Sequence, residues 1–296
     1  MLTSLITPSG LAQALVWGVA TGCIYILLAT GLNLIFGVMK LVNFAHGQLL
    51  MVGAFVAYQV TTIIGLNPYV SILLSMGTVA VIGILLEKFA FRKVRGTDKL
   101  NEIFISLGLI YVFQNVATLL WVENYNIKIP SPFSGFSISL GEVALSYDRI
   151  LAIIIVIAIL VGLVLLTKKT KIGLAMRATS QKSDAAMLMG IDINRVYVFT
   201  FAVGAALAGA SGAIYGILFP FNPTIGALPT IKAFAIIILG GLGSIPGAVA
   251  GGLLYGIAEN TAGYLSNGTW QDAVAFALLI AVLVIRPTGL FGEKGD

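Results

Sequence analysis

Charge, cysteine and histidine are all scarce in this 296-residue chain, which has 17 basic and 12 acidic side chains, one cysteine and one histidine. A soluble domain carries about a quarter of its residues as charges. Here the charged share is 10%, beside 58% hydrophobic residues and a mean hydropathy of +1.02. So few charges cannot cover a water-exposed globule of this size, which excludes a soluble enzyme, a disordered chain, a disulfide-stapled secreted module and a nucleic-acid binder. Cys23 stands alone inside an apolar run, where a lone thiol is a small packing residue without a disulfide or metal partner. His46 is the sole imidazole, which removes zinc motifs of the His-Glu-x-x-His kind and relays of histidines. No metal, no cofactor and no catalytic residue is expected. The stretch from Met1 to Gly10 has no basic cluster and no small-residue cleavage site, so no removable signal peptide is expected.

Long apolar runs are abundant. A bilayer-crossing helix needs about 20 mostly apolar residues, and lipid forces its backbone groups to bond internally. Such runs cover about 11–37, 44–64, 68–87, 103–122, 149–166, 196–219, 230–262 and 270–285. They predict an all-α fold, a polytopic transmembrane helical bundle of about eight spans, or nine if 230–262 crosses twice, in a single domain over residues 1–296. Lys88, Arg92, Lys93, Arg95 and Lys99 crowd one connector, and Lys168, Lys169, Lys171, Arg177, Lys182 and Arg195 crowd another. Excess Lys and Arg collect in cytoplasmic loops, so both connectors should be cytoplasmic. The stretch 123–147 between them, with Glu123, Lys128, Pro130, Pro132, Gly135 and Glu142, holds fewer positive charges and should face outside. The net charge of +5 therefore reports orientation in a lipid membrane.

Glycine falls in patterns within these runs. Gly204, Ala208, Gly212 and Gly216 recur every four residues, as do Ala248, Gly252 and Gly256, and Gly18 with Gly22. Stripes of small residues let helix backbones approach closely in lipid, so helix packing is the expected role of the Gly204–Gly216 stripe. Two interruptions stand out. Asn43-Phe44-Ala45-His46-Gly47 puts an amide, an imidazole and a glycine between apolar runs, and Gly240-Gly241-Leu242-Gly243-Ser244-Ile245-Pro246-Gly247 breaks the seventh run. Broken backbone at membrane depth is tolerated where protein buries it or where it lines a watery cavity, and paired breaks point to a transport path. Tight turns at the membrane surface are the equal alternative.

Other chemistry is testable by motif. A P-loop needs a lysine after its second glycine, and 240–247 has none. The Rossmann fingerprint fails as well, because Pro246 stands where its third glycine would. Gly209-Ala210-Ser211-Gly212 resembles the nucleophile string of rhomboid intramembrane proteases, but that serine needs a histidine on a later span, and none follows Ser211. Ion-coupled secondary transport calls for buried ionisable groups. The candidates are Lys232, Glu259, Glu87 and Asp272, of which Glu87, Asp272 and Glu259 sit near run ends and are expected to reach the interface. Between Lys171 and Arg195 a polar, alanine-rich stretch closed by Gly190 reads as a short surface helix with a glycine stop. It is either a plain connector or a docking helix for a cytoplasmic motor.

Several strings together carry a resemblance: Gly31 to Met39, Val42 to Gly47, Ala185 to Asp192, Gly240 to Gly247, and Arg286 to Gly292. The chain resembles, from about residue 11 to 292, the permease of branched-chain amino-acid ABC transporters of the LivH type, with Gln48 where that family usually has an acidic residue. The resemblance implies a pore-forming subunit and not an enzyme. Its partners would be a second permease of the LivM type, two cytoplasmic ATP-binding subunits and an extracytoplasmic solute-binding protein, in a bacterial or archaeal cell (inner) membrane. It implies that Asn43, Phe44, His46, Gly47, Gly240, Gly241, Gly243 and Ser244 line the substrate path. The segment 178–192, with Ala185, Ala186, Gly190 and Asp192, would couple to the ATPases. Related permeases move urea, amides or other amino acids, so the solute class stays open at this point.

Overall fold

The computed structural model describes residues 7–121, 126–266 and 268–292. Glu123 and the first six residues, which bear on the external loop and the signal-peptide reading, lie outside the described residues. In chain order the elements are α1 (Pro8–Met39), α2 (His46–Thr62), α3 (Pro68–Leu86), a π-helical turn (Glu87–Phe91) running into α4 (Arg92–Val94), and α5 (Lys99–Leu120). A hairpin of β1 (Ser137–Leu140) and β2 (Val143–Ser146) leads into α6 (Tyr147–Lys169), α7 (Lys171–Gln181), α8 (Ser183–Leu188) and α9 (Ile193–Leu218). Then follow α10 (Ala227–Gly240), α11 (Ile245–Leu265) and α12 (Gln271–Ile285). Each apolar run is helical, the seventh as the pair α10–α11 bent by 119°. By length and composition α1, α3 continued through Val94, α5, α6 and α9 can cross a bilayer, and the bent pair adds a sixth crossing. α12 is a shorter apolar helix and α2 has 17 residues. The chain is an all-α, multi-pass membrane protein.

Helix starts follow from local chemistry. The Thr7, Asn67, Asp98, Asp192 and Ser244 side chains accept hydrogen bonds from first-turn amides of α1, α3, α5, α9 and α11. Pro8, Pro68 and Pro246 occupy first turns, where their missing N–H is no loss.

The bundle has two distinct ends. At one, the Gln13 side chain exchanges hydrogen bonds with the Ala144 backbone of the hairpin, and Asp148 accepts from the Tyr69 and Ser131 hydroxyls at 2.7 and 2.6 Å. The starts of α1, α3 and α6 therefore share this hairpin end. At the other, Arg95 donates to Asn194 and stacks 4.5 Å over the Tyr197 ring. That contact joins the two basic connectors, which stand 99 residues apart. We call this the basic end.

Close backbone packing fills the interior. α1 lies antiparallel to α11 through facing small residues, so that a Cβ on Gly18 would come 2.7 Å from the Ile257 Cα and one on Gly256 would come 2.5 Å from the Gly22 Cα. α9 crosses the same α1. Gly204 meets the Gly31 carbonyl and Ile35, Gly212 meets the Leu50 carbonyl of α2, Gly216 meets Ile129 and Phe221, and Ala208 is fully buried. Small side chains let these backbones approach, which is the main source of helix association where lipid removes the hydrophobic driving force.

Candidate functional site

Asn43 sets the geometry of the first break. Its Oδ1 accepts from the Ala45 amide and its carbonyl from the His46 amide, so the chain turns sharply and α2 begins at His46. That start is deep in the bundle, because His46 lies beside Gly31, which itself faces Gly204 midway along α9. Residues 40–45 thus run back from the basic end into the middle of the membrane.

The partner of this break is the start of α10. The segment 219–226 runs inward from the hairpin end, where Phe221 pairs with Ile127 and meets the Phe55 ring edge-on. It reaches mid-depth at Gly226, whose backbone touches that of Gly47 closely enough that neither position has room for a Cβ. Thr230 fastens the junction, accepting from the Gly47 amide at 3.1 Å and donating to the Gly226 carbonyl at 2.6 Å. Phe44 packs on Phe234 of α10, with ring centroids 4.9 Å apart. Two helix N-termini therefore meet at the midplane, α2 leading to the hairpin end and α10 to the basic end.

Polar side chains left without protein partners crowd this junction. His46 and Gln48 are fully buried, and among the described residues no hydrogen bond reaches either ring nitrogen of His46 or either amide atom of Gln48. The Leu28 carbonyl approaches His46 without hydrogen-bond geometry. Thr30 Oγ1 and Asn43 Nδ2 are also buried without partners. An unpaired buried polar group costs roughly 1–3 kcal/mol, so four such side chains in one place are a costly arrangement that calls for a functional reason.

The second break is a different place. Gly240 packs on Gly247, Gly241 takes a φ of 104° against Gly292, and Gly243 takes 85° beside Gly37 near the end of α1. Asn33 pins it, accepting from the Gly243 amide at 2.7 Å and donating to the Ser244 carbonyl at 2.8 Å. The tail closes over it, as the Leu290 and Phe291 amides donate to the Leu239 and Gly240 carbonyls. The structure thus does not bring 240–247 together with 43–47. Gly240 and Gly241 are buried under the tail, whereas Gly243 is exposed and Ser244 half-buried towards the basic end.

The ionisable groups also stand elsewhere than expected. Glu259 and Glu87 do not reach the interface. Lys232 Nζ contacts Glu259 Oε1 at 2.7 Å and Asp272 Oδ1 at 2.9 Å, and Tyr25 and Gln271 also donate to Glu259. Glu87 is fully buried and binds Arg92 at 2.9 Å and Arg95 at 3.4 Å instead of its neighbour Lys88. A charge in a low-dielectric interior needs a partner; Glu259 finds its partners on other helices, and Glu87 finds its own one and two turns further along the chain. Only Asp272 keeps a half-exposed side chain.

At the basic end the surface stretch is two helices, α7 and α8, broken at an extended Lys182. Gly190 ends α8 with a φ of 83°, its amide donating to the Met187 carbonyl while that of Ile191 donates to Ala186, the paired bonds of a glycine stop. Asp192 caps α9. Ala185 is exposed, but Ala186 faces inward at 4% exposure, and the outward apolar residues are Met187, Leu188 and Met189, the last two above 80%. Of the expected coupling residues, Ala186 turns its methyl to its own bundle, and Met187, Leu188 and Met189 form the outward face.

Sequence reasoning missed Asn33, Gly226 and Thr230. The signals were a lone amide inside an apolar run and the Pro220, Pro223 and Gly226 punctuation ahead of the seventh run. Ser211 belongs to the packing face, fully buried with its hydroxyl donating to the Ile24 carbonyl at 2.9 Å.

The sequence is similar to those of known permeases. The family described as branched-chain amino acid transport system, permease component, matches residues 14–283. The chain is 35% identical to the high-affinity branched-chain amino acid transport system permease protein BraD of Pseudomonas aeruginosa, over 95% of each chain. It is 32% identical to LivH of Escherichia coli, over 93% of this chain and 94% of that one. With the probable branched-chain amino acid transport permease protein LivH of Methanocaldococcus jannaschii the identity is 31%, over 90% and 88%. These relatives are transport permeases and not enzymes. A multi-pass bundle that carries this match over almost its whole length belongs to the permease family of branched-chain amino-acid transport systems.

Proposed function

We propose that the chain is the pore-forming permease subunit of an ATP-driven importer for branched-chain amino acids in the cell (inner) membrane of a bacterium or archaeon. Its partners are a LivM-type permease, two cytoplasmic ATP-binding subunits and an extracytoplasmic solute-binding protein. The observation that carries the reading is the junction of Gly47 and Gly226, where two half-membrane helices meet beside unpartnered His46, Gln48 and Asn43. Transport sites form where broken helices meet at the midplane. An imidazole and two amides in an otherwise apolar setting with Phe44 suit a zwitterion with an aliphatic side chain.

The path then runs past Asn43, Phe44, His46 and Gly47 and leaves by the second break, along Gly240 and Gly241 to the exposed Gly243 and Ser244. The basic end is cytoplasmic. There the segment Ala185 to Asp192 couples to the ATPases, with Met187, Leu188 and Met189 as the apolar knob and Gly190 fixing its angle.

The test is uptake of labelled leucine by proteoliposomes holding the chain with its partners. Uptake requiring both ATP and loaded binding protein is expected, whereas uptake by the chain alone, driven by a proton gradient, would overturn the reading. In a Cys23→Ser background, cysteines at Arg95 and Lys182 should react with an impermeant thiol reagent only from the cytoplasmic side, and one at Ser134 only from outside.

A further inference from the structure

A cavity lies at the basic end, on the outer surface of the bundle between α3 and α9. It measures about 470 Å³. The two helices run antiparallel there, with Gly83 set against Phe201 and Ala205, yet both present side chains in the same order of depth. From the end inwards, α4, the π turn and α3 offer Arg92, then Lys88, then Ile84, and α9 offers Arg195, then Val198 and Phe199. Cations thus stand at the rim, where the helices leave the apolar layer, and an apolar wall lies one turn deeper.

The rim carries an excess of positive charge. Arg195 is partly offset by Asp192 at 2.9 Å, and Arg92 by the buried Glu87, which it shares with Arg95. Lys88 is exposed and makes no ion pair among the described residues. Glu87 holds the Arg92 guanidinium in place from behind, and the π turn lets it do so, because it carries Glu87 inward while Lys88 and Arg92 face the cavity.

We propose that this cavity binds one anionic phospholipid of the leaflet at the basic end. Its phosphate sits among Lys88, Arg92 and Arg195, and an acyl chain lies along Ile84, Val198 and Phe199. Basic pockets between membrane helices recognise anionic headgroups in this way. A free phosphate would need the rim but would leave the apolar wall unused, and a zwitterionic lipid would leave the charge excess unmatched. The site is independent of the transport path, which lies on the far side of α9.

Native mass spectrometry of the full chain, released from detergent with added phosphatidylglycerol or phosphatidylcholine, tests the assignment. Retained phosphatidylglycerol adducts should exceed phosphatidylcholine adducts, and Lys88→Ala and Arg195→Ala should each reduce them roughly five-fold, as expected for loss of one cation near a headgroup. Both side chains are exposed at their ends, so size-exclusion profiles should not change. Phe199→Ser should reduce adduct lifetime without restoring phosphatidylcholine. Equal retention of the two lipids, unchanged adducts when Lys88→Ala and Arg195→Ala are combined, or displacement of the lipid by millimolar inorganic phosphate would each overturn the proposal.

Discussion

Two polar clusters are buried on either side of α10, and they are opposites. Around Lys232, the ammonium, Glu259, Asp272, Tyr25 and Gln271 are joined by contacts of 2.7 to 3.2 Å. Around His46, the imidazole, Gln48, Asn43 Nδ2 and Thr30 Oγ1 lack protein partners. Both lie in surroundings where water is scarce and unpaired polarity is costly. The first cluster pairs its charges internally, with Glu259 Oε2 left over, and so acts as a pin, tying α10 to α1, α11 and α12. The second leaves the cost standing, as expected of a place that a polar solute visits. Burial of polar groups alone does not mark a site, and several unpaired ones gathered where two helices break point to one more strongly than a charge-paired cluster does.

That contrast breaks most easily at the pin. Lys232→Met strands a buried carboxylate and should destabilise the protein by about 3–5 kcal/mol, seen as a lower melting temperature in detergent and reduced membrane levels. Lys232→Met with Glu259→Gln should recover most of the loss. A single variant of normal stability would show that the cluster does not hold α10. Next in size is Gly212→Leu, whose side chain would overlap the Leu50 carbonyl. It should cost at least the upper part of the roughly 1–3 kcal/mol range for overpacking, and a two-helix shift measured by engineered cross-links would report it.

At the unsatisfied cluster the sign differs. Gln48→Leu removes two unpartnered atoms and should leave thermal stability within about 1 kcal/mol, or raise it, while leucine uptake falls sharply. Marked destabilisation would mean that Gln48 is structural and the contrast false. The smallest effect on folding should come from Leu188→Asp. An exposed change shifts stability by no more than about 0.5 kcal/mol, yet loaded binding protein should no longer stimulate ATP hydrolysis. Unaltered stimulation would return α8 to the status of a connector.

Much of this was legible in the sequence, and what was not has a common cause. Apolar runs, capping residues and basic loops are local signals, so the helices and the shared basic end could be read directly. Asn43 to Gly47 could be read as a break, but not that it faces Gly226, because a break does not name its partner. Pairing it with 240–247 joined two segments that the fold keeps apart. Glu87 and Glu259 were placed at the surface because they stand near run ends. Lys232 and Tyr25 reach Glu259 by packing that no sequence window contains, whereas Arg92 and Arg95 lie within eight residues of Glu87 and are turned onto it by the π-helical turn. Ala186 was chosen for its small size, and only the rotation of α8 shows that Leu188 is the outward residue.

The tail strapped across the end of α10 has a consequence for biosynthesis. The final carbonyls of a helix need donors from elsewhere, and here two of them come from Leu290 and Phe291, which the ribosome makes after α11 and α12. While the nascent chain is being inserted, α10 therefore remains unfinished at the end that bears the second break. A chain stalled or clipped before Leu290 would enter the bilayer with its spans in order and that end still frayed. Quality-control proteases that recognise such fraying could sort complete permeases from incomplete ones before any partner subunit is committed.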